Sequence, residues 1–357
     1  MKKLLTVLFI LLFSTGMFAQ IKWSGDARVR PRLDIKDNGE YGGKKTDYYY
    51  MLRARLNMKA TIGDGWYFKT QLAHYGYGLY SFSTGLSTEA PLKGMIEGSR
   101  RPSVSFMQLY IAVNKKTWGV EGGLIPINSV ANPLFDIHYY PNKMVDVPYF
   151  IYSLLGGMGF HGFVKVGAGT LGFYAMNDKN GHTEDDINGN TVYDVQDAYT
   201  YIANYTYKSK SGFMFQPMVF FSIASDSIAA PVTFGVNLKA PKVSGFGFYG
   251  SFGYTNQSKV GTPEYNGYLA RLGVNGKLGP GLLILWYDLA QRTDKFGSAD
   301  VKTNFGNLWL KYKIPVYKGK HGEFTIAPTI RRISESIDNV KDYTRYKIEI
   351  TTEVKFK

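Results

Sequence analysis

Over residues 22–35 the chain alternates. Lys22, Ser24, Asp26, Arg28, Arg30, Arg32 and Asp34 hold the even positions; Trp23, Gly25, Ala27, Val29, Pro31, Leu33 and Ile35 hold the odd ones. A period of two belongs to a β-strand with one polar and one apolar face. Residues 50–62 repeat the pattern: Arg53, Arg55, Asn57, Lys59 and Thr61 share one face, and Leu52, Ala54, Leu56, Met58, Ala60 and Ile62 the other. Residues 345–356 do so again, with Arg345, Lys347, Glu349, Thr351, Glu353 and Lys355 opposite Tyr346, Ile348, Ile350, Val354 and Phe356. About sixteen such segments are expected, near 21–35, 48–62, 66–75, 103–114, 117–126, 157–166, 169–177, 197–208, 212–223, 231–240, 245–255, 266–277, 281–292, 303–314, 322–333 and 343–356.

The connections alternate in length. Short ones fall at 63–65, 115–116, 167–168, 209–211, 241–245 and 278–280, with 315–321 slightly longer. Long ones fall at 36–47, 76–102, 127–156, 178–196, 224–230, 256–265, 293–302 and 334–342. Turn-forming residues fill both sets. A soluble sandwich has no reason to gather its long loops at one end of every hairpin, whereas a transmembrane barrel does. Its strands need about 9–11 residues to cross a bilayer, and closure satisfies every backbone group where lipid offers no partner. The expected fold is all-β: a transmembrane antiparallel up-and-down β-barrel of about sixteen strands, with 14 and 18 left open. Short turns would face the periplasm and long loops the exterior. Trp66, Tyr67 and Phe68 follow one short turn, Trp118 follows another, and Tyr48, Tyr49 and Tyr50 open a strand at the loop end, as interfacial girdles would.

The first twenty residues, MKKLLTVLFILLFSTGMFAQ, change the address of the chain. Lys2 and Lys3, the apolar run 4–13 and a small-residue exit read as a secretory signal peptide over 1–19, cut after Ala19, followed by a single barrel over 20–357. The apolar run is too short for a membrane anchor. There is no cysteine, so neither a disulfide framework nor a thiolate site is available. Aromatic residues make up 16% of the chain, and the net charge is +14. Such basicity is compatible with nucleic acid, but export and alternating strands argue against that partner.

The polar face of a barrel is its lumen. Arg28, Arg30, Arg32, Arg53, Arg55, Arg271, Arg331 and Lys347 are therefore expected to line a pore and bias it toward anions. A low-dielectric wall focuses the field of its charges, and charged rings set selectivity. Two other readings stand beside this one: pairing with lumenal acids such as Asp26, Asp34 and Glu349, or contact with lipopolysaccharide phosphates at the rim. In the loop 178–196 and just after it, Asp186, Asn188, Asn190, Asp194 and Asp197 follow the ligand spacing of a calcium loop. Thr191 stands where the turn wants glycine, and the last position is Asp rather than Glu, so a solvated acidic loop is the plainer reading. A divalent bridge to lipopolysaccharide is a third. No other cofactor is expected. His74, His138, His161, His182 and His321 show no ligand spacing, and hydrolase and phosphate-loop motifs are absent. The expectation is a protein that is not an enzyme, with an outer-membrane hydrolase as the least favoured alternative.

In this layout the chain resembles a Gram-negative outer-membrane porin over nearly its whole length. The last segment, YKIEITTEVKF, looks like the terminal strand read by the outer-membrane assembly machinery, although Phe356 is penultimate and Lys357 follows. Residues 108–128, QLYIAVNKKTWGVEGGLIPIN, look loosely like the strand–turn–strand and Gly-x-x-x-Pro stretch of phosphate-selective and alginate-type porins. The resemblance implies a water-filled channel in the outer membrane, in contact with lipid and lipopolysaccharide, that passes small hydrophilic solutes by passive diffusion. It implies that loop 127–156 folds inward as a constriction carrying Asp136, His138, Tyr140 and Asp146; a loop packed over the mouth or against a neighbouring subunit is the alternative. Monomer and homotrimer are both compatible, and loop 76–102, with Arg100 and Arg101, is a candidate subunit latch. A structural or adhesive barrel with a blocked lumen is the competing class.

Overall fold

The computed structural model describes residues 20–38, 43–74, 80–83, 104–126, 156–179, 183–185, 191–193, 198–224, 230–259, 261, 264–296, 299–338 and 342–357. The first half of the wall contains β1 (Gln20–Asn38), β2 (Gly43–Gly63), β3 (Trp66–His74), a short β4 (Tyr80–Ser83), β5 (Val104–Asn114), β6 (Trp118–Pro126), β7 (Gly156–Val166) and β8 (Gly169–Lys179). A separate small hairpin follows, β9 (Thr183–Asp185) with β10 (Thr191–Tyr193). The second half contains β11 (Ala198–Lys208), β12 (Met214–Ala224), β13 (Val232–Lys239), β14 (Phe246–Gln257), β15 (Glu264–Leu278), β16 (Gly281–Phe296), β17 (Ala299–Gly319), β18 (Gly322–Ile337) and β19 (Tyr343–Phe356). Neighbours pair antiparallel, and β19 returns to β1. Sixteen strands thus close into a barrel; β4 is the extra one, pairing with β2 beyond the end of β3. Closure leaves no row of unpaired amides facing lipid.

Alternation in the sequence becomes inside and outside. Ile21, Trp23 and Val29 of β1 and Ile348, Ile350 and Val354 of β19 point outward and are exposed. Asp26, Arg30, Arg32 and Asp34, and Arg345, Lys347, Glu349, Thr351 and Glu353, point inward and are buried. An apolar outer belt around a polar interior suits lipid outside and water within.

All sixteen expected segments are wall strands, with shifted bounds. β17 runs on to Gly319 through Pro315, because the ladder with β18 shifts register between Pro315 and Tyr317 and so tolerates the missing amide. β2 starts at Gly43, so Tyr48 and Tyr50 lie within the strand, exposed, with ring centroids 5.4 Å apart. Trp66 and Trp118 face outward as girdle residues should, but Tyr67 has the other parity and turns inward, its hydroxyl on Glu121. The hairpin β9–β10 breaks what the sequence suggests is a plain loop at 178–196.

The seam between first and last strands is tight at Gly25, which pairs with Phe356. A Cβ at Gly25 would run into the Arg55 carbonyl and the Phe356 ring. Gly25→Val is expected to destabilise the closed barrel by about 1–3 kcal/mol, the usual cost of overpacking. A lower urea midpoint for loss of the heat-modifiable band would show it, and an unchanged midpoint would mean the seam gives way freely.

Candidate functional site

The inner wall where β18, β19, β1 and β2 meet is a network of ions. Arg28, Arg30 and Arg32 share a face because they are two residues apart, and register with β19 sets Glu353 opposite Arg28 and Glu349 opposite Arg32. Glu349 accepts from Arg32 Nε at 2.8 Å, lies 3.5 Å from Arg30 Nη1 and pairs with Arg331 from the next strand. Arg30 Nε also donates to the Thr351 hydroxyl at 2.9 Å. Arg28 and Arg53 are direct cross-strand partners, a costly arrangement for like charges. Glu353 resolves it, taking Arg28 Nη2 at 3.1 Å and Arg53 Nη2 at 3.0 Å. Asp26 takes Arg53 Nη2 at 2.6 Å on one oxygen and Arg55 Nε at 2.7 Å on the other. Nearer the loop end, Arg345 Nε donates to Asp34 at 2.7 Å, and Lys347 lies opposite Asp34 in register, fully buried.

A second group continues round the wall. Arg271 forms a two-point pair with Asp288, Nη2 to Oδ2 at 2.7 Å, and Asn307 donates to the same oxygen at 3.0 Å. Trp286 and Trp309 are cross-strand partners with stacked rings, centroids 4.5 Å apart. Arg331 sits 3.8 Å over the outer face of that stack on the Trp309 side, and Arg271 5.3 Å from the Trp286 ring. Planar guanidinium groups suit both tasks, bidentate pairing and stacking. The two tryptophans therefore help hold two of the wall's arginines in place.

All eight cations singled out in the sequence point into the barrel. They are also paired or stacked with partners that alternation alone does not name; of the acids expected to neutralise them, Asp26 pairs with Arg53 and Arg55, and Glu349 with Arg30, Arg32 and Arg331. Sequence reasoning missed Glu353 and Asp288 as partners, the tryptophan stack, and a cluster on β3, β6, β7 and β8. There His161 stacks on Tyr174 at 4.1 Å, with Nδ1 3.7 Å from Glu121, which also accepts from Tyr67 at 3.3 Å. Parity places each of these inward, but only register brings them together. Beside this cluster the inner faces of β5, β6, β8, β11 and β12 carry a buried apolar patch of Tyr110, Ile125, Met176, Ile202 and Phe220, interleaved with the buried polar side chains of Gln108, Thr200, Asn204 and Gln216. The constriction residues Asp136, His138, Tyr140 and Asp146 and the calcium-loop candidates Asp186, Asn188, Asn190, Asp194 and Asp197 lie outside the described residues. Among the described residues no group of three His, Asp or Glu side chains could hold a metal ion.

No protein-family model matches the chain, and no curated relative does. Solved structures do. The outer membrane channel DcaP of Acinetobacter baumannii aligns with a TM-score of 0.57 at 13% identity, over 94% of this chain and 97% of that one. An anion-selective porin from Comamonas acidovorans aligns at 0.55 and 11% identity, over 94% and 99%. OccK9 of Pseudomonas aeruginosa aligns at 0.53 and 10%, over 95% and 100%. At these identities the likeness is one of architecture, and it spans each barrel end to end: this chain has the closed sixteen-stranded fold of the outer-membrane porins.

Proposed function

We propose that the protein is an outer-membrane porin, a water-filled channel for passive diffusion of small hydrophilic solutes with a preference for anions. The observation that carries this reading is the division of the wall: an outward apolar belt and an inward face that is largely polar and, from β15 round to β2, densely ionised, on a closed ring of sixteen strands. Eight strands can fill their interior with side chains, and sixteen enclose a channel. The anion preference rests on an excess of cations, for the lumenal arginines and lysines outnumber Asp26, Asp34, Asp47, Glu121, Asp288, Glu335, Glu349 and Glu353. Because those acids neutralise most of the arginine wall, the expected preference is modest.

Arg28 and Arg55 are the network members a solute can reach, with 17% and 14% of their side chains exposed. Single-channel recording of refolded protein under a salt gradient tests the reading. Stable open steps with a reversal potential of anionic sign are expected, and R28Q/R55Q should move that potential toward zero without closing the channel. A folded, heat-modifiable barrel that passes no current would sink the channel and promote a blocked structural barrel. Open steps of cationic sign would keep the channel and overturn the preference.

A further inference from the structure

His161 sits between two unlike neighbours. In register it lies opposite Glu121 of β6 on one side and Tyr174 of β8 on the other. Its ring stacks on Tyr174 with the two planes 14° apart. Its Nδ1 faces the Glu121 carboxylate from 3.7 Å, within ion-pairing range and beyond that of a hydrogen bond. Its Nε2 is buried and has no hydrogen-bond partner among the described residues. Glu121 is the one acid in strands β3 to β7. Its second oxygen accepts from the Tyr67 hydroxyl at 3.3 Å, a long hydrogen bond. The other ionisable groups facing this pair are Lys59 of β2, Tyr67 and Lys69 of β3, Tyr110 of β5, Lys165 of β7 and Tyr174 of β8. Lys59 Nζ lies 3.9 Å from the Tyr67 centroid and Lys69 Nζ 5.8 Å from that of Tyr110. From β11 and β12 the inner face presents Ile202, Asn204, Met218 and Phe220, which do not titrate.

We propose that His161 is a proton-operated switch in the lumenal wall: neutral, it lies stacked on Tyr174; protonated, it swings off the stack and closes an ion pair with Glu121. A neutral imidazole carries one N–H, and a carboxylate beside Nδ1 fixes that hydrogen there, so Nε2 is left as a bare acceptor. A second proton turns both nitrogens into donors. A buried N–H with no acceptor is costly, so the imidazolium turns until Nε2–H meets lumenal water. Nδ1–H then shortens onto Glu121 and competes with the weak bond from Tyr67. Ring position and protonation are thereby one two-state element. Histidine is the side chain whose charge changes between pH 5 and 8. Above that range the pair carries one negative charge, the only one set against Lys59, Lys69 and Lys165 within strands β3 to β7. Below it the pair is neutral and those lysines act unopposed, so the anion preference grows on acidification. This effect on selectivity rests on the channel reading; the movement of the ring does not.

The refolded full barrel serves for two measurements. In detergent micelles, carbon-13 NMR of labelled histidine and tyrosine should show one histidine and the Tyr174 ring titrating together between pH 8 and 5. The histidine signal is assigned by its loss in H161Q and the tyrosine signal by its loss in Y174F. H161F, which keeps an aromatic ring against Tyr174 and takes no proton, should hold the Tyr174 signal fixed across the range. In planar bilayers under a salt gradient at low ionic strength, the anion-to-cation permeability ratio should rise about twofold from pH 8 to pH 5, as one unit charge within a Debye length allows. H161F should lose that rise and H321Q, at a turn, should keep it. E121Q at pH 8 should already show the ratio of the wild type at pH 5. A titrating Tyr174 ring without any open steps would remove the channel and leave the switch. A Tyr174 ring that ignores pH, or a rise in selectivity equally large in H161F, would overturn the switch and leave the channel.

Discussion

Glu349→Gln is expected to abolish stable folding of the barrel. Three guanidinium groups, from Arg30, Arg32 and Arg331, converge on this one carboxylate, and the side chains of Arg32, Arg331 and Glu349 have no exposure. Removing one partner of a buried ion pair costs about 3–5 kcal/mol because the other charge stays buried and uncompensated. Here three cations lose their shared anion on adjoining strands, which also repel one another. The measurement is the fraction of heat-modifiable barrel recovered on refolding, followed across a urea series. A companion variant separates charge from shape: with Glu349, Arg32 and Arg331 all changed to Leu, no buried charge of that trio remains, and Arg30 keeps the Thr351 hydroxyl. Apolar replacement of a whole buried ionic group is often neutral or stabilising, so the triple variant should refold where the single one does not. Equal recovery of wild type and Glu349→Gln would mean that water reaches the network and screens it.

The second large effect tests the outside of the wall. Leu272, near the middle of β15, is 74% exposed on the outward face. Leu272→Arg should cost about 2–4 kcal/mol, the penalty for arginine on the lipid face near the bilayer midplane. Asn275→Arg, three residues along on the inward face, should cost far less, because its charge enters a polar lumen. Refolding into lipid vesicles, with urea titration of both variants, reads the difference. Equal costs would mean that the two faces of β15 are assigned the wrong way round, since one residue of slip exchanges them all.

What the sequence made readable here was periodicity. Charges two apart, as at Arg28, Arg30 and Arg32, need only the pleat to place them on one side, and every one of the eight selected cations points inward. What it left hidden depends on register between strands far apart in the chain. That Glu353 lies opposite Arg28, or that Trp286 stacks on Trp309, cannot be counted off within one segment. Strand ends were also misjudged where a local signal lost to pairing. Pro315 reads as a stop, yet a register shift carries β17 past it. Tyr67 reads as one of three girdle aromatics, yet parity sends it inside between two that face out.

The seam has a consequence for how the chain can be made. The arginines that carry most of the seam's positive charge lie in the first two strands, while Glu349 and Glu353 lie within the last nine residues. The pair between Arg28 and Glu353 spans 325 positions. A chain broken off shortly before its end would hold strands enough for most of a wall, yet it would present unneutralised guanidinium groups at the gap where β19 belongs. Such a fragment cannot close its rim in lipid, and loop closure over so long a separation comes late. The placement of two glutamates in β19 therefore ties neutralisation to closure: a wall without that strand lacks both the partner for β1 and the anions its arginines need.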